Sequence, residues 1–85
     1  MGTRHVEVTG AYTDIGAVAG STFYVQNKGS SKLELFIGDS APLASAEGLT
    51  LYPKDVGNTI TLEGSEVCYA KTENKNHTSI LLLVE

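Results

Sequence analysis

The chain has 85 residues, a length that accommodates a single domain, and 41% of them are hydrophobic, which is typical of a globular protein rather than a disordered one. Its formal net charge is -4 and its six basic residues are scattered along the sequence, so general binding to the phosphates of nucleic acid is not expected. No stretch approaches the ~20 consecutive apolar residues of a membrane-spanning helix, so association with a membrane is not expected either.

The first strand is predicted at residues 4–9, where apolar and polar side chains alternate with a period of two. This alternation places the two valines of the segment on one face. Residues 11–20 follow and consist mainly of small residues and glycines, which predicts a bend or an irregular strand. Ile15 and Val18 are the candidate core residues of that segment.

Two further strands are predicted at residues 22–27 and 32–38, joined by a hairpin loop at residues 27–31 that is rich in Asn, Gly and Ser. The alternation gives each strand an apolar inner face and leaves Tyr24 and Phe36 on the opposite face. If the hairpin forms, these two aromatic side chains are neighbours in an exposed patch. Packing in the core or against another subunit is the alternative.

The second half of the chain continues with short strands separated by turns. Leu49 and Leu51 mark one strand, which Pro53 ends because proline cannot donate to a β-ladder. A strand is predicted at residues 58–63, where Ile60 and Leu62 alternate with threonines. After a Gly-Ser turn, another strand is predicted at residues 66–71, where Val67 and Tyr69 alternate with Cys68 and Ala70.

Cysteine and histidine are too sparse to form a covalent or metal-bound framework. Tyr69 shares a face with Val67 and is predicted to belong to the core, and Cys68 on the other face is predicted to be a small packed side chain. As the only cysteine, Cys68 cannot form an internal disulfide. His5 and His77 lie near opposite ends of the chain without companion ligands, so no metal or cofactor is expected. A domain of this size without such links often depends on a partner subunit, and we expect a homo-oligomer.

The last strand is predicted at residues 78–84 and is apolar on both faces. It lies either in the centre of the fold between two covered layers, or with its outer face against another chain. We therefore take Leu81 and Leu83 as candidate interface residues. The alternative is that a loop such as residues 41–48 covers them.

No helix of useful length is predicted, because residues 12–20 show little periodicity of 3.6 and contain two helix-weakening glycines. Strands separated by turn signals every several residues predict an all-β fold. The sequence thus indicates one domain over residues 1–85, a small antiparallel β-sandwich or barrel of about seven short strands.

One segment is similar to a catalytic motif. Gly38-Asp39-Ser40 resembles the nucleophile block of one class of lipases and esterases. A serine nucleophile needs a base, and the only candidates are His5 and His77. Gly-Asp-Ser ahead of a proline is also a favourable turn. We expect a turn here, no catalytic residue and no enzymatic activity.

Loop acids and tyrosines are the remaining candidates for recognition. Asp14, Asp39 and Asp55 lack the dense spacing of a calcium loop and are predicted to be solvated turn residues. Tyr24 and Tyr52, if exposed, can stack on a sugar ring. A glycan-binding or receptor-binding module that uses these tyrosines and the loop acids is therefore the second hypothesis.

Several segments in order carry a family resemblance: residues 23–30, 35–42, 51–54 and 67–71. They resemble small all-β virion proteins of tailed bacteriophages, in which a V-Q-N-x-G strand end precedes a short strand, a G-D-x-x-P loop and a late Y-A strand. The likeness runs over most of the chain, from about Val6 onward. It implies a role in capsid decoration, in head fibres or in tail attachment, and it carries no catalytic residues.

The leading hypothesis is a non-enzymatic phage structural protein, an accessory decoration or cement protein of the capsid. It is made in the host cytoplasm, resides in the virion and contacts capsid or other virion proteins. The candidate contact residues are Tyr24, Phe36, Leu81 and Leu83, with residues 4–7 as an adaptable tether. The alternative is the glycan-binding or receptor-binding module of a tail or fibre. A small hydrolase that uses Ser40 is the third hypothesis, for which we expect no turnover.

Overall fold

A computed structural model describes residues 2–43, 46–74 and 76–85. Those residues form eight β-strands and no helix. Consequently, this part of the chain has no helix with the length and apolar character needed to cross a membrane. The strands are β1 (Thr3–Val8), β2 (Thr13–Asp14), β3 (Thr22–Asn27), β4 (Leu33–Gly38), β5 (Leu49–Leu51), β6 (Asn58–Thr61), β7 (Val67–Thr72) and β8 (Ser79–Val84).

The strands form two antiparallel sheets of four. Sheet A has the order β1-β8-β3-β6, and sheet B has the order β2-β7-β4-β5. The inner faces of the two sheets enclose one hydrophobic core. The predicted small all-β antiparallel sandwich is thus confirmed. The strand beyond the expected seven is β2, two residues long, within the segment predicted to be a bend or an irregular strand.

The core is built from alternate residues of the strands, as a period of two requires. Along β8 and β7, buried and partly buried side chains alternate without interruption. β3 contributes in the same way from its predicted inner face, and β4 does so through Leu33 and Leu35, whereas Ile37 near the end of β4 is 38% exposed. The buried apolar residues are Val8, Ile15, Phe23, Val25, Leu33, Leu35, Leu51, Ile60, Leu62, Cys68, Ala70, Leu81 and Leu83.

The predicted hairpin between β3 and β4 is wrong. β3 lies in sheet A between β8 and β6, whereas β4 lies in sheet B between β7 and β5. The loop of residues 28–32 therefore crosses from one sheet to the other. The two strands meet face to face through their apolar rows instead of side by side through hydrogen bonds. Alternation is the same in both arrangements, so it does not distinguish a hairpin from a crossover.

Two side chains predicted to be in the core lie elsewhere. Val18 is 60% exposed, although Ile15 in the same segment is buried as predicted. Tyr69 lies on the outer face of sheet B opposite Phe36, while Cys68 points into the core. On β7 the smaller residues thus face inward and the larger ones outward, the reverse of what side-chain size alone suggests.

Candidate functional site

The outer face of β8 carries a continuous row of apolar side chains. Ile80, Leu82 and Val84 point away from the core, and each is partly buried. Leu81 and Leu83 alternate with them and are fully buried between the sheets. The prediction that Leu81 and Leu83 lie on the outer face is therefore wrong, because a shift of one residue exchanges the two faces of a strand and both faces of this one are apolar.

The loop of residues 41–48, the alternative cover for these leucines, packs elsewhere in its described second half. Residues 46–48 lie against sheet B, where a methyl group at Gly48 would overlap the carbonyl oxygen of Leu35. Residues 44 and 45 of that loop lie outside the described residues. The cover over Leu81 and Leu83 is sheet B itself.

Polar side chains border the apolar row of β8 on both sides. On β1, His5 lies opposite Leu82 and Glu7 lies opposite Ile80. On β3, Gln26 lies opposite Leu82 on the other side. We call Ile80, Leu82 and Val84 the β8 row. It is an apolar strip on a central strand with a polar margin, the arrangement common at protein interfaces.

Tyr24 stands beside the β8 row but is not a free aromatic side chain. Its ring is partly buried, and its hydroxyl oxygen accepts a hydrogen bond from the backbone N–H of Gly57 at 3.0 Å. The neighbouring Gln26 donates from its side-chain amide to the carbonyl oxygen of Asp55 at 2.8 Å. Both side chains hold the loop between β5 and β6 against β3, so Tyr24 supports the fold at the margin of the β8 row.

Phe36 belongs to the outer face of the opposite sheet. Its ring packs edge-to-face against the ring of Tyr12, with centroids 6.1 Å apart. The ammonium group of Lys71 lies 5.4 Å from the centre of the Tyr12 ring and 3.5 Å from a carboxylate oxygen of Glu34. Because Tyr24 is on sheet A and Phe36 on sheet B, the predicted patch of these two aromatics does not form.

Tyr12 fixes the segment that follows β4 to this second outer face. Its hydroxyl donates to the carbonyl oxygen of Ala46 at 2.8 Å. Burial raises the pKa of Tyr12, and the negative charges of Glu34 and Glu47 raise it further. The hydroxyl therefore keeps its proton and remains a donor at neutral pH. The aromatic cluster around Phe36 is thus part of a structural contact.

An open depression of about 720 Å³ lies at one end of the sandwich, between the β3–β4 loop and the β7–β8 loop. Lys32 at its rim places its ammonium group 5.4 Å from the centre of the Tyr52 ring and 3.7 Å from a carboxylate oxygen of Glu73. Tyr52 is 54% exposed. The residues that line the depression are Ser30, Ser31, Lys32, Pro53, Glu73, Asn74, Asn76, His77 and Thr78.

Asn27 organises this end of the molecule, a role that the sequence did not reveal. Its buried side-chain amide donates to the carbonyl oxygens of Ser31 at 2.7 Å and Leu51 at 3.1 Å. Its side-chain oxygen accepts from the backbone N–H of Gly29 at 3.0 Å and from the hydroxyl of Ser79 at 2.9 Å. An Asn at a strand end predicts a local turn, and only the tertiary structure adds the partners on other strands.

The structure does not bring Ser40 together with either histidine. β4 begins next to the depression that His77 lines, and Ser40 follows the opposite end of that strand. Six residues of strand separate the two ends, at about 3.3 Å per residue. His5 lies on β1 of sheet A, whereas Ser40 follows a strand of sheet B.

The three acids make separate hydrogen bonds, Asp14 from the last position of β2 and Asp39 and Asp55 from loops. Asp14 accepts a hydrogen bond from the N–H of the residue two positions later at 2.7 Å, and Asp55 accepts one from the next residue at 2.8 Å. Asp39 accepts one from the hydroxyl of Ser65 at 3.5 Å. Across residues 2–43, 46–74 and 76–85, no three His, Cys, Asp or Glu side chains gather in a group that could hold a metal ion.

The only thiol of the chain is buried in the core. Burial raises the pKa of Cys68 from its ordinary value of 9.0 to about 12, and the charge of Asp14 adds to the effect. Cys68 is thus protonated at neutral pH and packs as a small apolar side chain.

Comparison with models of protein families, with curated proteins and with solved structures finds no match for this chain.

Proposed function

We propose that this protein is a non-enzymatic structural protein of a bacteriophage virion, an accessory capsid decoration or cement protein that acts through contacts with other subunits. The observation that carries the proposal is the β8 row, an apolar strip on the outer face of a central strand. The resemblance of the sequence to small all-β phage virion proteins points in the same direction. Its partners are then capsid or other virion proteins and further copies of the chain, and its location is the virion.

The contact residues of this proposal differ from those that the sequence suggested. Leu81 and Leu83 serve the core, so Ile80, Leu82 and Val84 replace them as the apolar contacts of β8. Tyr24 remains at the margin of this surface, where its ring is partly buried. Phe36 lies on the other outer face and has no part in the proposed contact.

A small apolar strip is sufficient for this role. Each side chain of the β8 row is already partly buried, so one contact contributes little by itself, at roughly 25 cal/mol per Å² of apolar surface removed from water. A shell presents many equivalent sites, and joining two or more of them through linked copies raises the overall affinity. A protein that binds only the assembled shell stabilises the shell by mass action, without any chemical step.

The test is co-sedimentation of the purified protein with capsids of the phage that encodes it. Leu82→Lys places a charge in the centre of the β8 row, and we expect binding to weaken about tenfold or more, because burying an unpaired charge costs more than ~1.4 kcal/mol. Thr59→Lys is the matched control, since it adds the same charge to the same face on β6, two strands away. The proposal is contradicted if the protein is missing from purified virions and stays in the supernatant when capsids are sedimented in its presence.

The depression beside Tyr52 favours a second candidate function, the recognition of a glycan or a receptor by a module of a tail or fibre. Hydroxyl and amide groups line the depression. The exposed ring of Tyr52 lies near its rim, because it contacts Lys32, which lines the depression. Binding in a glycan array that Tyr52→Ala abolishes and Tyr69→Phe leaves unchanged supports this function. An array without binding, or with binding that survives Tyr52→Ala, rejects it.

A further inference from the structure

β1 is the longest strand at the edge of either sheet. It covers six residues, whereas the other edge strands, β2, β5 and β6, cover two, three and four. Among the residues that the structure describes, β8 is the only strand paired with β1, so its other side has no strand. A long and regular edge presents a row of backbone groups that a further strand can pair with.

The ladder between β1 and β8 shows which backbone groups point outward. The N–H of Glu85 donates to the carbonyl oxygen of Gly2 at 2.9 Å, which continues this antiparallel ladder beyond the end of β1. Hydrogen-bonded and non-bonded pairs alternate along such a ladder. Arg4, Val6 and Val8 therefore bond to β8, and the odd-numbered residues of β1 direct their N–H and C=O groups toward the open edge.

The side chains of those odd-numbered residues can complement each other across a two-fold axis. Thr3, His5 and Glu7 are exposed on the outer face of sheet A. We propose that two copies of the chain pair antiparallel along β1, with Val6 opposite Val6 of the second copy. His5 of each copy then lies directly opposite Glu7 of the other, and each such pair exchanges both of its backbone hydrogen bonds. The imidazole N–H of His5 can donate to the carboxylate of Glu7.

This register is favoured over its neighbours by the side chains that it places together. Opposing residues of an antiparallel pair point to the same face of the sheet, and a two-fold axis perpendicular to the sheet keeps every side chain on its face. The possible registers therefore differ from one another by shifts of two residues. Pairing centred on Arg4 or on Glu7 places like charges opposite each other, which destabilises a sheet. Pairing centred on His5 places two imidazoles opposite each other. Pairing centred on Val6 places two β-branched side chains together in the close, non-bonded position, which stabilises the pair.

The paired copies would form one continuous sheet with both β8 rows on the same face. The dimer therefore deepens the proposed function, on which this last step rests, because two linked contact surfaces bind a repetitive shell more strongly than one. The pairing itself uses the edge of β1 and not the β8 row. The two proposals can thus fail separately.

The experiment is sedimentation velocity of the isolated full chain over a wide range of concentrations. We expect the mass to rise with concentration from 9.0 kDa to twice that value. His5→Glu places a carboxylate opposite Glu7, and we expect the dissociation constant of the dimer to rise about tenfold or more. His5→Glu combined with Glu7→His restores opposite partners and is expected to restore the dimer.

Thr59→Glu is the matched control, since it introduces the same charge on the same face at the other edge of sheet A. His5→Pro is a second variant, because it removes an outward N–H while β1 keeps its bonds to β8, and proline is tolerated on an edge strand. We expect Thr59→Glu to dimerise and His5→Pro to remain monomeric, with thermal unfolding showing that both are folded. A wild-type protein that stays monomeric throughout overturns the inference, and so does a double variant that fails to regain the dimer. Capsid binding by a monomeric wild type rejects the dimer but leaves the proposed function standing.

Discussion

The side-chain oxygen of Asn27 accepts a hydrogen bond from the hydroxyl of Ser79 at 2.9 Å, and both side chains are buried. The bond joins the last residue of β3 to the first residue of β8. It therefore fixes the start of the strand whose outer face carries the β8 row. It also anchors the base of the β3–β4 loop, which forms one wall of the depression.

Removal of the Asn27 side chain is the first prediction. Asn27→Ala leaves several buried backbone and hydroxyl groups without partners, and each such group costs about 1–3 kcal/mol. We expect the free energy of unfolding to fall by about 3 kcal/mol or more in chemical denaturation. Gln26→Ala, which removes a single exposed hydrogen bond next to it, is the control and is expected to cost less than about 1 kcal/mol. Equal losses in both variants would contradict a special role for Asn27.

Gly57 gives the second prediction, because there is no room for a side chain where the loop meets β3. A methyl group at this position would overlap the Tyr24 ring and the carbonyl oxygen of Val25. Gly57→Ala must displace backbone as well as side chain, and we expect it to cost about 1–3 kcal/mol in thermal or chemical unfolding. Gly2→Ala is the control, since no non-neighbouring atom of the described residues lies within 4 Å of a methyl group there. If both variants are as stable as the wild type, the close contact of Tyr24 with the loop is refuted.

The strands of this protein could be predicted because alternation and turn residues are local signals. Residues 22–27, 49–51 and 79–84 all form strands within the predicted segments. The sheet to which each strand belongs is not a local property. β3 and β4 follow each other across a loop with the composition of a hairpin, yet the buried Asn27 ties that loop to β5 and β8 and the chain crosses to the other sheet.

The inner face of a strand could be predicted only where one face is clearly polar. β3 has a single apolar row and was predicted correctly. β8 is apolar on both faces, and on β7 the larger residues face outward while Cys68 and Ala70 pack between the sheets. The candidate contact residues depended on these two strands. This is why the apolar outer surface was anticipated on β8 but assigned to Leu81 and Leu83 instead of the β8 row.

The third prediction concerns the pH dependence of stability. Because burial raises the pKa of Cys68 from 9.0 to about 12, the unfolded chain loses the thiol proton at a lower pH than the folded chain does. The contribution of the buried thiol is fully present below pH 9 and is lost as the pH rises from 9 toward 12, at up to about 1.4 kcal/mol per pH unit. We therefore expect the stability difference between the wild type and Cys68→Ala to shrink over this interval in chemical denaturation. A difference that stays constant with pH would show that the thiol titrates normally.

The last prediction compares two ion pairs of different exposure. The side chains of Lys71 and Glu34 are only 12% and 13% exposed, whereas those of Lys32 and Glu73 are 45% and 53% exposed. Lys71→Met leaves the Glu34 carboxylate largely buried without its partner, and we expect a loss of up to about 3 kcal/mol. Adding Glu34→Gln removes the unpaired charge and should recover part of that loss. Lys32→Met, at the exposed pair, should cost less than about 1 kcal/mol. Chemical denaturation of the wild type, Lys71→Met, Glu34→Gln and the double variant measures the coupling between the two residues in a double-mutant cycle, and Lys32→Met serves as the exposed comparison. A coupling near zero for Lys71 and Glu34 would show that water screens this pair as well.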